Sequence, residues 1–232
     1  MTQKQKNIDE GEIKYKLIVI GDENIGKTSI IERFKNNQFS PIYEPTLGMD
    51  FQSIPILIDD QSVTLLLYDT AGSEKYRSLI SLYSNEANIV FLTYDISNLE
   101  SFNNIGKWYD SLSNINKDEV IFALVGNKLD LDYNRKVKKE DAEKYANEHN
   151  YIFQEVSALN GDGIQELFMN KLIDQIRTQF IQRGKNLTDQ EEATLKININ
   201  SNNKDNDNDK TKDKKNKNKK CCCINLLNMI FN

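Results

Sequence analysis

Eight residues near the N-terminus have the types and spacing of a phosphate-binding loop. Residues 21–28 read G-D-E-N-I-G-K-T and fit the pattern G-x-x-x-x-G-K-[ST]. The two glycines let successive backbone N–H groups turn toward phosphate oxygens, and the dipole of a following helix adds to the attraction. In this pattern Lys27 reaches the β- and γ-phosphates, and the Thr28 hydroxyl coordinates Mg²⁺. The loop therefore predicts a nucleotide-binding protein.

A second segment has the chemistry to read the base. Asn127, Lys128, Leu129 and Asp130 follow an apolar run about one hundred residues after the loop. The Asp130 carboxylate can accept hydrogen bonds from the N1–H and N2–H₂ edge of guanine, which adenine does not present. Such pairing discriminates strongly, because the wrong base leaves buried polar groups unpaired. The segment therefore predicts a guanine nucleotide.

Both segments require a sheet that places them at one edge. Short apolar runs predict six strands, of which the fourth and fifth have the continuous pattern of strands covered on both faces. The predicted strands are 15–20, 54–58, 63–68, 89–94, 120–125 and 151–156. The second and third flank a short polar turn and form a hairpin. We predict an α/β fold with a doubly wound, six-stranded, mostly parallel sheet, one antiparallel edge strand and five helices.

Charge is distributed unevenly along the chain. Residues 210–220 hold seven Lys and one Asp, which give a charge of +6. Because the net charge of the whole chain is −5, the remaining residues carry −11. An acidic body argues against a nucleic-acid partner, whereas a short basic tail fits an anionic membrane surface. The polar composition of residues 198–220 predicts disorder. The predicted domains are an N-terminal extension at 1–12, a nucleotide-binding domain at 13–182 and a tail at 183–232.

The three cysteines are consecutive and lie in the tail. Because Cys221, Cys222 and Cys223 are the only ones, the body has no Cys-ligated zinc, Cys nucleophile or internal disulfide. No apolar run has the length of a membrane span, and no secretory signal precedes the body, so we expect a cytoplasmic protein. Nine residues follow the cysteines, so the end is not a C-a-a-X box. S-acylation, removal of those nine residues before prenylation, and an unmodified apolar end stay open.

Five segments in this order resemble the nucleotide-binding motifs of small GTPases of the Ras superfamily. Two are the segments described above; the others are Thr46, D-T-A-G at 69–72 and S-A at 157–158. They span the chain from about residue 13 to residue 182. The resemblance implies the small GTPase fold, with GTP or GDP and Mg²⁺ as ligands.

Within the superfamily, the segments are most similar to the Rab branch. Residues 46–51, T-L-G-M-D-F, resemble T-I-G-V-D-F of Rabs, and residues 68–76, Y-D-T-A-G-S-E-K-Y, resemble W-D-T-A-G-Q-E-R-F/Y. Residues 92–97, L-T-Y-D-I-S, resemble L-V-Y-D-I-T, whereas residues 83–87, Y-S-N-E-A, differ from Y-Y-R-G-A. Another branch of the superfamily is the alternative.

The resemblance implies a role for each matched residue. Phe39 stacks across the guanine, the Ala158 N–H meets its O6, and the Gly72 N–H contacts the γ-phosphate. The implied metal ligands are Thr28, Thr46 and, through water, Asp69. The implied catalytic positions are Lys27, Thr46, Gly72 and Ser73. The implied nucleotide-binding residues are Gly21, Asp22, Glu23, Asn24, Ile25, Gly26, Lys27, Thr28, Ser29, Phe39, Tyr43, Thr46, Asp69, Gly72, Asn127, Lys128, Asp130, Ser157, Ala158 and Leu159.

Three positions depart from the family pattern. Ser73 replaces the glutamine that orients the attacking water, and serine is too short to hold that water in line. Glu23 replaces a small residue of the loop and would add negative charge near the γ-phosphate. Leu159 replaces the lysine of S-A-K, which removes a stacking stem above the base. We therefore expect slow intrinsic hydrolysis, although Rab activators characteristically supply a glutamine in trans.

The resemblance thus implies a Rab-like GTPase switch in vesicle trafficking on the cytosolic face of an intracellular membrane. Its partners would be an exchange factor, a GTPase-activating protein and effectors, with the chain itself a monomer anchored by a lipidated tail. A docking module that barely hydrolyses GTP is the alternative. The candidate effector residues are Leu47, Met49, Phe51 and Leu79.

Overall fold

One mixed sheet organises the part of the chain that the computed structural model describes, namely residues 13–42, 44–59, 61–73, 77–179 and 181. The strands are β1 (Ile13–Ile20), β2 (Met49–Ile58), β3 (Gln61–Thr70), β4 (Ile89–Asp95), β5 (Ile121–Asn127) and β6 (Ile152–Glu155). Their order across the sheet is β2-β3-β1-β4-β5-β6. Only β2 is antiparallel to its neighbour, and the predicted hairpin is its pairing with β3, Ile58 opposite Gln61.

Helices cover both faces of this sheet. Those in the described ranges are α1 (Lys27–Asn36), α2 (Arg77–Tyr83), α3 (Leu99–Asn103), α4 (Ile105–Asp110), α5 (Lys139–Glu148) and α6 (164–179). A 3-10 helix at Leu129–Asn134 follows β5, and α6 contains a π-helical segment at Glu166–Lys171. The predicted α/β fold with six strands and one antiparallel edge strand is confirmed.

The alternation of apolar residues along the strands divides the core into two clusters. In β1, Leu17 and Val19 belong to the cluster that α1 and α6 cover, whereas Ile18 and Ile20 belong to the cluster that α4 and α5 cover. Successive strand side chains point to opposite faces, so a continuous apolar run serves both clusters. This is why β4, β5 and the second half of β1 lack a polar face.

The structure has one helix more than the predicted five. The helical stretch between β4 and β5 is divided at Asn104, which is a turn residue between α3 and α4. The Asn104 side-chain amide donates to the Asp22 carboxylate, 2.8 Å away. The interruption therefore falls at a residue whose contact lies outside the helix, which apolar spacing alone does not reveal.

The sheet brings the predicted motifs to one edge. The phosphate loop follows β1, the D-T-A-G segment begins at the end of β3, the guanine-reading segment follows β5, and Ser157 follows β6. These four strands are parallel, so their carboxyl ends meet at the same edge. Ligands of open α/β sheets bind at that edge.

The chain divides into two units, Met1–Gln182 and Arg183–Asn232, and every described residue belongs to the first. The predicted domain boundaries stay predictions, because residues 1–12 and 182–232 lie outside the described residues. The tail that the sequence predicts to be disordered, with its basic run and its three cysteines, lies outside them as well. Within the described ranges, no helix is both long and apolar enough to cross a membrane.

Candidate nucleotide-binding site

The phosphate loop closes around its own lysine and leads directly into α1. Gly26 has a φ of +88°, in the left-handed region that favours glycine. A Cβ at this position would also collide with the Asn127 side-chain amide. The Gly26 carbonyl accepts the first helical hydrogen bond, from Ile30 N at 3.0 Å. The second glycine of the motif is therefore required both by its backbone angle and by the closeness of the guanine-reading segment.

Lys27 holds a buried amino group inside the loop. Its Nζ donates to the carbonyls of Gly21 and Asp22, at 3.0 and 2.7 Å, and the residue is only 6% exposed. Burial lowers the pKa of Lys27 to about 8, against the opposing charges of Asp69, Asp22 and Glu23. A phosphate at this position would stabilise the ammonium form, because opposite charges attract strongly where water is excluded.

Gly72 brings the D-T-A-G segment against the loop. A Cβ on Gly72 would collide with the Asp22 carbonyl oxygen and with Lys27 Nζ. The neighbouring Ala71 N–H donates to the Gly48 carbonyl at 2.9 Å, which links this segment to the start of β2. The D-T-A-G segment and the residues before β2 are therefore tied to each other beside the lysine.

Thr28, Thr46 and Asp69 converge as the predicted metal ligands. Thr28 Oγ1 donates to Asp69 Oδ2 at 2.6 Å, and Thr46 Oγ1 lies 3.0 Å from Thr28 Oγ1 and 3.2 Å from Asp69 Oδ2. Asp69 Oδ1 is buried and has no hydrogen-bond partner among the described residues. Burial raises the pKa of Asp69, opposed first by the Thr28 hydrogen bond.

This cluster fits a hard divalent cation. Mg²⁺ prefers oxygen ligands, takes few from protein and completes its shell with water and phosphate. Two hydroxyls and a carboxylate with an unpaired oxygen are such a set, and Thr28, Thr46 and Asp69 would hold the ion. Bound there, Mg²⁺ would neutralise phosphate charge.

The guanine-reading segment contacts the phosphate loop, the loop after β6 and the end of β4. Asn127 Nδ2 donates to the Ile25 carbonyl at 2.7 Å, and its Oδ1 accepts from the Ala158 N–H at 3.1 Å. Lys128 Nζ contacts the Asn24 carbonyl at 2.6 Å and Asp95 Oδ2 at 2.8 Å. These contacts fix the phosphate loop, the base-reading segment and the loop after β6 relative to one another.

Asp130 itself is positioned by the loop after β6. The Ser157 hydroxyl donates to Asp130 Oδ1 at 2.5 Å. Lys128 adopts a left-handed backbone, with φ 66°, which ends β5 and begins the 3-10 helix that carries Asp130. The carboxylate is thereby held at the cavity, with Oδ2 making no hydrogen bond among the described residues.

Residues of all these segments line one cavity of about 690 Å³, a volume typical of small-molecule sites. The predicted residues that line it are Glu23, Asn24, Gly26, Lys27, Thr28, Ser29, Phe39, Thr46, Gly72, Asn127, Lys128, Asp130, Ala158 and Leu159. Five further predicted residues form hydrogen bonds with residues of this lining, namely Gly21, Asp22, Ile25, Asp69 and Ser157. Ser73 follows Gly72 in the chain, and Tyr43 lies outside the described residues. The contacts of these residues with a nucleotide stay predictions.

Sequence reasoning missed the residues that support the site from outside the motifs. Arg33 of α1 donates to the carbonyls of Ala158 and Leu159, at 2.8 and 2.6 Å, and so holds the loop after β6. Asn104 and Trp108 donate to the Asp22 carboxylate. Asn104 and Trp108 are one helical turn apart, but nothing in the sequence relates either of them to residue 22.

The fold and this arrangement fit a guanine nucleotide and Mg²⁺ at the carboxyl edge of an α/β sheet. Comparison with known protein families agrees, since residues 16–178 match the Ras family. The match covers well over half of the chain, which therefore belongs to the Ras family. Members of this family are generally GTPases that act as switches, typically with Mg²⁺, regulators and effectors.

Proposed function

We propose that this chain is a Rab-type switch that hydrolyses GTP slowly and recruits effectors to an intracellular membrane. The Rab-like segments at 46–51 and 68–76 support the branch. The slow rate is supported by one observation above all, that Glu23 lines the nucleotide cavity. The negative charge of its side chain acts on Lys27.

Glu23 and Ser73 both oppose the hydrolysis step. The Glu23 residue lines the cavity, and a carboxylate there would repel the phosphate oxygens. Phosphoryl transfer depends on a side chain that orients the attacking water, and the serine at position 73 has a single short hydroxyl for this task. Both substitutions therefore prolong the GTP-bound state.

Reverting these positions is expected to accelerate hydrolysis. In single-turnover assays of the full chain with Mg²⁺, Ser73→Gln and Glu23→Gly should each raise the rate by about fivefold to tenfold, which corresponds to about 1 to 1.4 kcal/mol of barrier. The Ser73→Gln change restores an amide that can orient water, and Glu23→Gly removes the repulsion. Release of inorganic phosphate from preloaded GTP gives the rate directly.

Ser53→Gln is the matched control, because Ser53 is an exposed residue of β2 outside the cavity lining. Its rate should equal that of the wild type. A wild-type rate already equal to that of Ser73→Gln would contradict the proposed slow hydrolysis, since another group would then orient the water.

The position of Glu23 in the cavity lining also supports a second candidate function. If the rate of GTP hydrolysis is very low and neither reversion raises it, the chain is a docking module that binds GTP and barely hydrolyses it. Its binding face would be the same, because Leu47 and Phe51 are 82% and 48% exposed beside the cavity. Met49 and Leu79, also predicted as effector residues, are partly buried.

Membrane attachment is proposed through the tail. The seven lysines of residues 210–220 are followed directly by Cys221, Cys222 and Cys223. One lipid chain gives marginal binding, whereas a lipid together with a basic segment gives stable anchoring. The sequence therefore carries both signals that a peripheral membrane protein needs.

Replacing all three cysteines with serine is expected to release most of the protein from the membrane fraction of expressing cells. Hydroxylamine treatment of the wild type distinguishes the lipid, because it cleaves the thioester of S-acylation and leaves a prenyl thioether intact. A variant lacking residues 224–232 serves as control and should stay membrane-bound. Equal membrane fractions for the wild type and the serine variant would contradict lipid attachment at these cysteines.

A further inference from the structure

The Asp22 carboxylate is held by the segment between β4 and β5. Its Oδ1 accepts from Trp108 Nε1 at 2.7 Å, and its Oδ2 accepts from Asn104 Nδ2 at 2.8 Å. Trp108 is fully buried in the core cluster covered by α4 and α5. Both donors therefore come from a segment that is not part of any nucleotide-binding motif.

The backbone of Asp22 faces the opposite way, toward the reacting end of the site. Its carbonyl oxygen accepts from Lys27 Nζ at 2.7 Å. The same carbonyl lies against Gly72, where a Cβ would collide with it. One residue thus joins the side chains of Asn104 and Trp108 to the lysine and to the glycine predicted to contact the γ-phosphate.

A carboxylate in this loop is unfavourable for binding an anionic ligand. Asp22 and Glu23 are consecutive, and the negative charge of each acts on Lys27. Repulsion between Asp22 and a polyphosphate would weaken binding unless the carboxylate is turned away and its charge is compensated. The Trp108 indole N–H and the Asn104 amide N–H hold the carboxylate in its turned-away position and compensate its charge, because hydrogen bonds to a charged acceptor are strong.

We propose that Trp108 is a positioning residue for nucleotide binding: with Asn104, it holds the Asp22 carboxylate away from the phosphates and so keeps the Asp22 carbonyl on Lys27. Trp108 is not among the residues that line the cavity, so it would act through Asp22. The proposal rests on guanine-nucleotide binding at this site and adds a residue to it.

The rate of GDP release tests this role. Full-length protein is loaded with GDP carrying a fluorescent ribose label, and release is followed after adding excess unlabelled GDP at constant Mg²⁺. Trp108→Phe keeps an aromatic ring in the core but removes the N–H, and should raise the release rate by about fivefold to tenfold. Asp22→Asn keeps an acceptor for the indole without the charge, and its release rate is the reference for the double variant.

The double variant separates positioning from packing. If the freed carboxylate causes the faster release, Trp108→Phe together with Asp22→Asn should return the rate to that of Asp22→Asn alone. If loss of core packing causes it, the double variant stays as fast as Trp108→Phe. Leu112→Ala is the matched control, because Leu112 is fully buried in the same cluster and has no part in the Asp22 contact. It should lower the melting temperature without changing the release rate.

The indole N–H provides a readout that does not depend on nucleotide kinetics. Trp108 is the only tryptophan, so a ¹H–¹⁵N spectrum of the full chain contains a single indole resonance. Asn104→Ala, which removes the second donor, should leave that resonance in place, whereas Asp22→Ala should shift it and speed its exchange with solvent.

Two results would overturn the proposal: a release rate of Trp108→Phe equal to that of the wild type, or a double variant as fast as Trp108→Phe. Failure of the wild type to bind labelled GDP contradicts nucleotide binding itself, and is thus distinguishable from failure of the role assigned to Trp108.

Discussion

Replacing Asp130 with asparagine is expected to lower the affinity for GDP by at least about a hundredfold and to make xanthosine diphosphate the better ligand. The carboxylate is predicted to accept two hydrogen bonds from the guanine edge, and bonds to a charged acceptor contribute about 1.5–3 kcal/mol each. Asparagine presents an N–H where guanine also has a donor, but xanthine has a carbonyl there. Competition of both nucleotides against labelled GDP measures the two affinities.

The structure provides a closely matched control for this substitution. Asp132 lies in the same 3-10 helix and is 68% exposed, paired with Arg135 at 2.7 Å. Asp132→Asn should leave the affinity for GDP unchanged. Asparagine at position 130 can still accept a hydrogen bond from the Ser157 hydroxyl with its Oδ1, so the contact with the loop after β6 is kept. Unchanged preference for guanine in Asp130→Asn would show that another group reads the base.

Lys27→Met is expected to weaken binding of GTP by about a hundredfold to a thousandfold. Methionine keeps most of the apolar stem but removes the buried ammonium group that is predicted to face the phosphates. Removing one partner of a buried, hydrogen-bonded charge pair costs about 2–5 kcal/mol, because the other partner loses its compensation. Titration of the purified full chain with labelled GTP in the presence of Mg²⁺ measures the loss.

Lys35→Met is the control, since Lys35 is an exposed residue in the last turn of the same helix. Its affinity should match that of the wild type. Were Lys27→Met to bind GTP within about threefold of the wild type, the phosphates would lie elsewhere. The hydrogen bonds of Lys27 to Gly21 and Asp22 would then have a structural role only.

Much of the fold and of the nucleotide site follows from local pattern. The continuous apolar residues of β4 and β5 predict buried parallel strands, and the polar turn at Asp59 predicts the hairpin of β2 and β3. Gly26, Lys27 and Thr28 are adjacent in the chain, so their spacing alone indicates phosphate chemistry. Asp130 is recognisable for the same reason, as a residue of a short segment at the end of a strand.

The support of the site does not follow from local pattern, because its contacts join residues far apart in the chain. Arg33 reaches the loop after β6 across 125 residues, and Trp108 reaches Asp22 across 86. Spacing rules relate residues within one helix or strand, whereas these hydrogen bonds depend on how α1 and α4 pack on the sheet. The division of the helical stretch at Asn104 was missed for the same reason. Short-range spacing therefore predicts which residues meet the ligand, and packing across the sheet establishes which residues hold them in place.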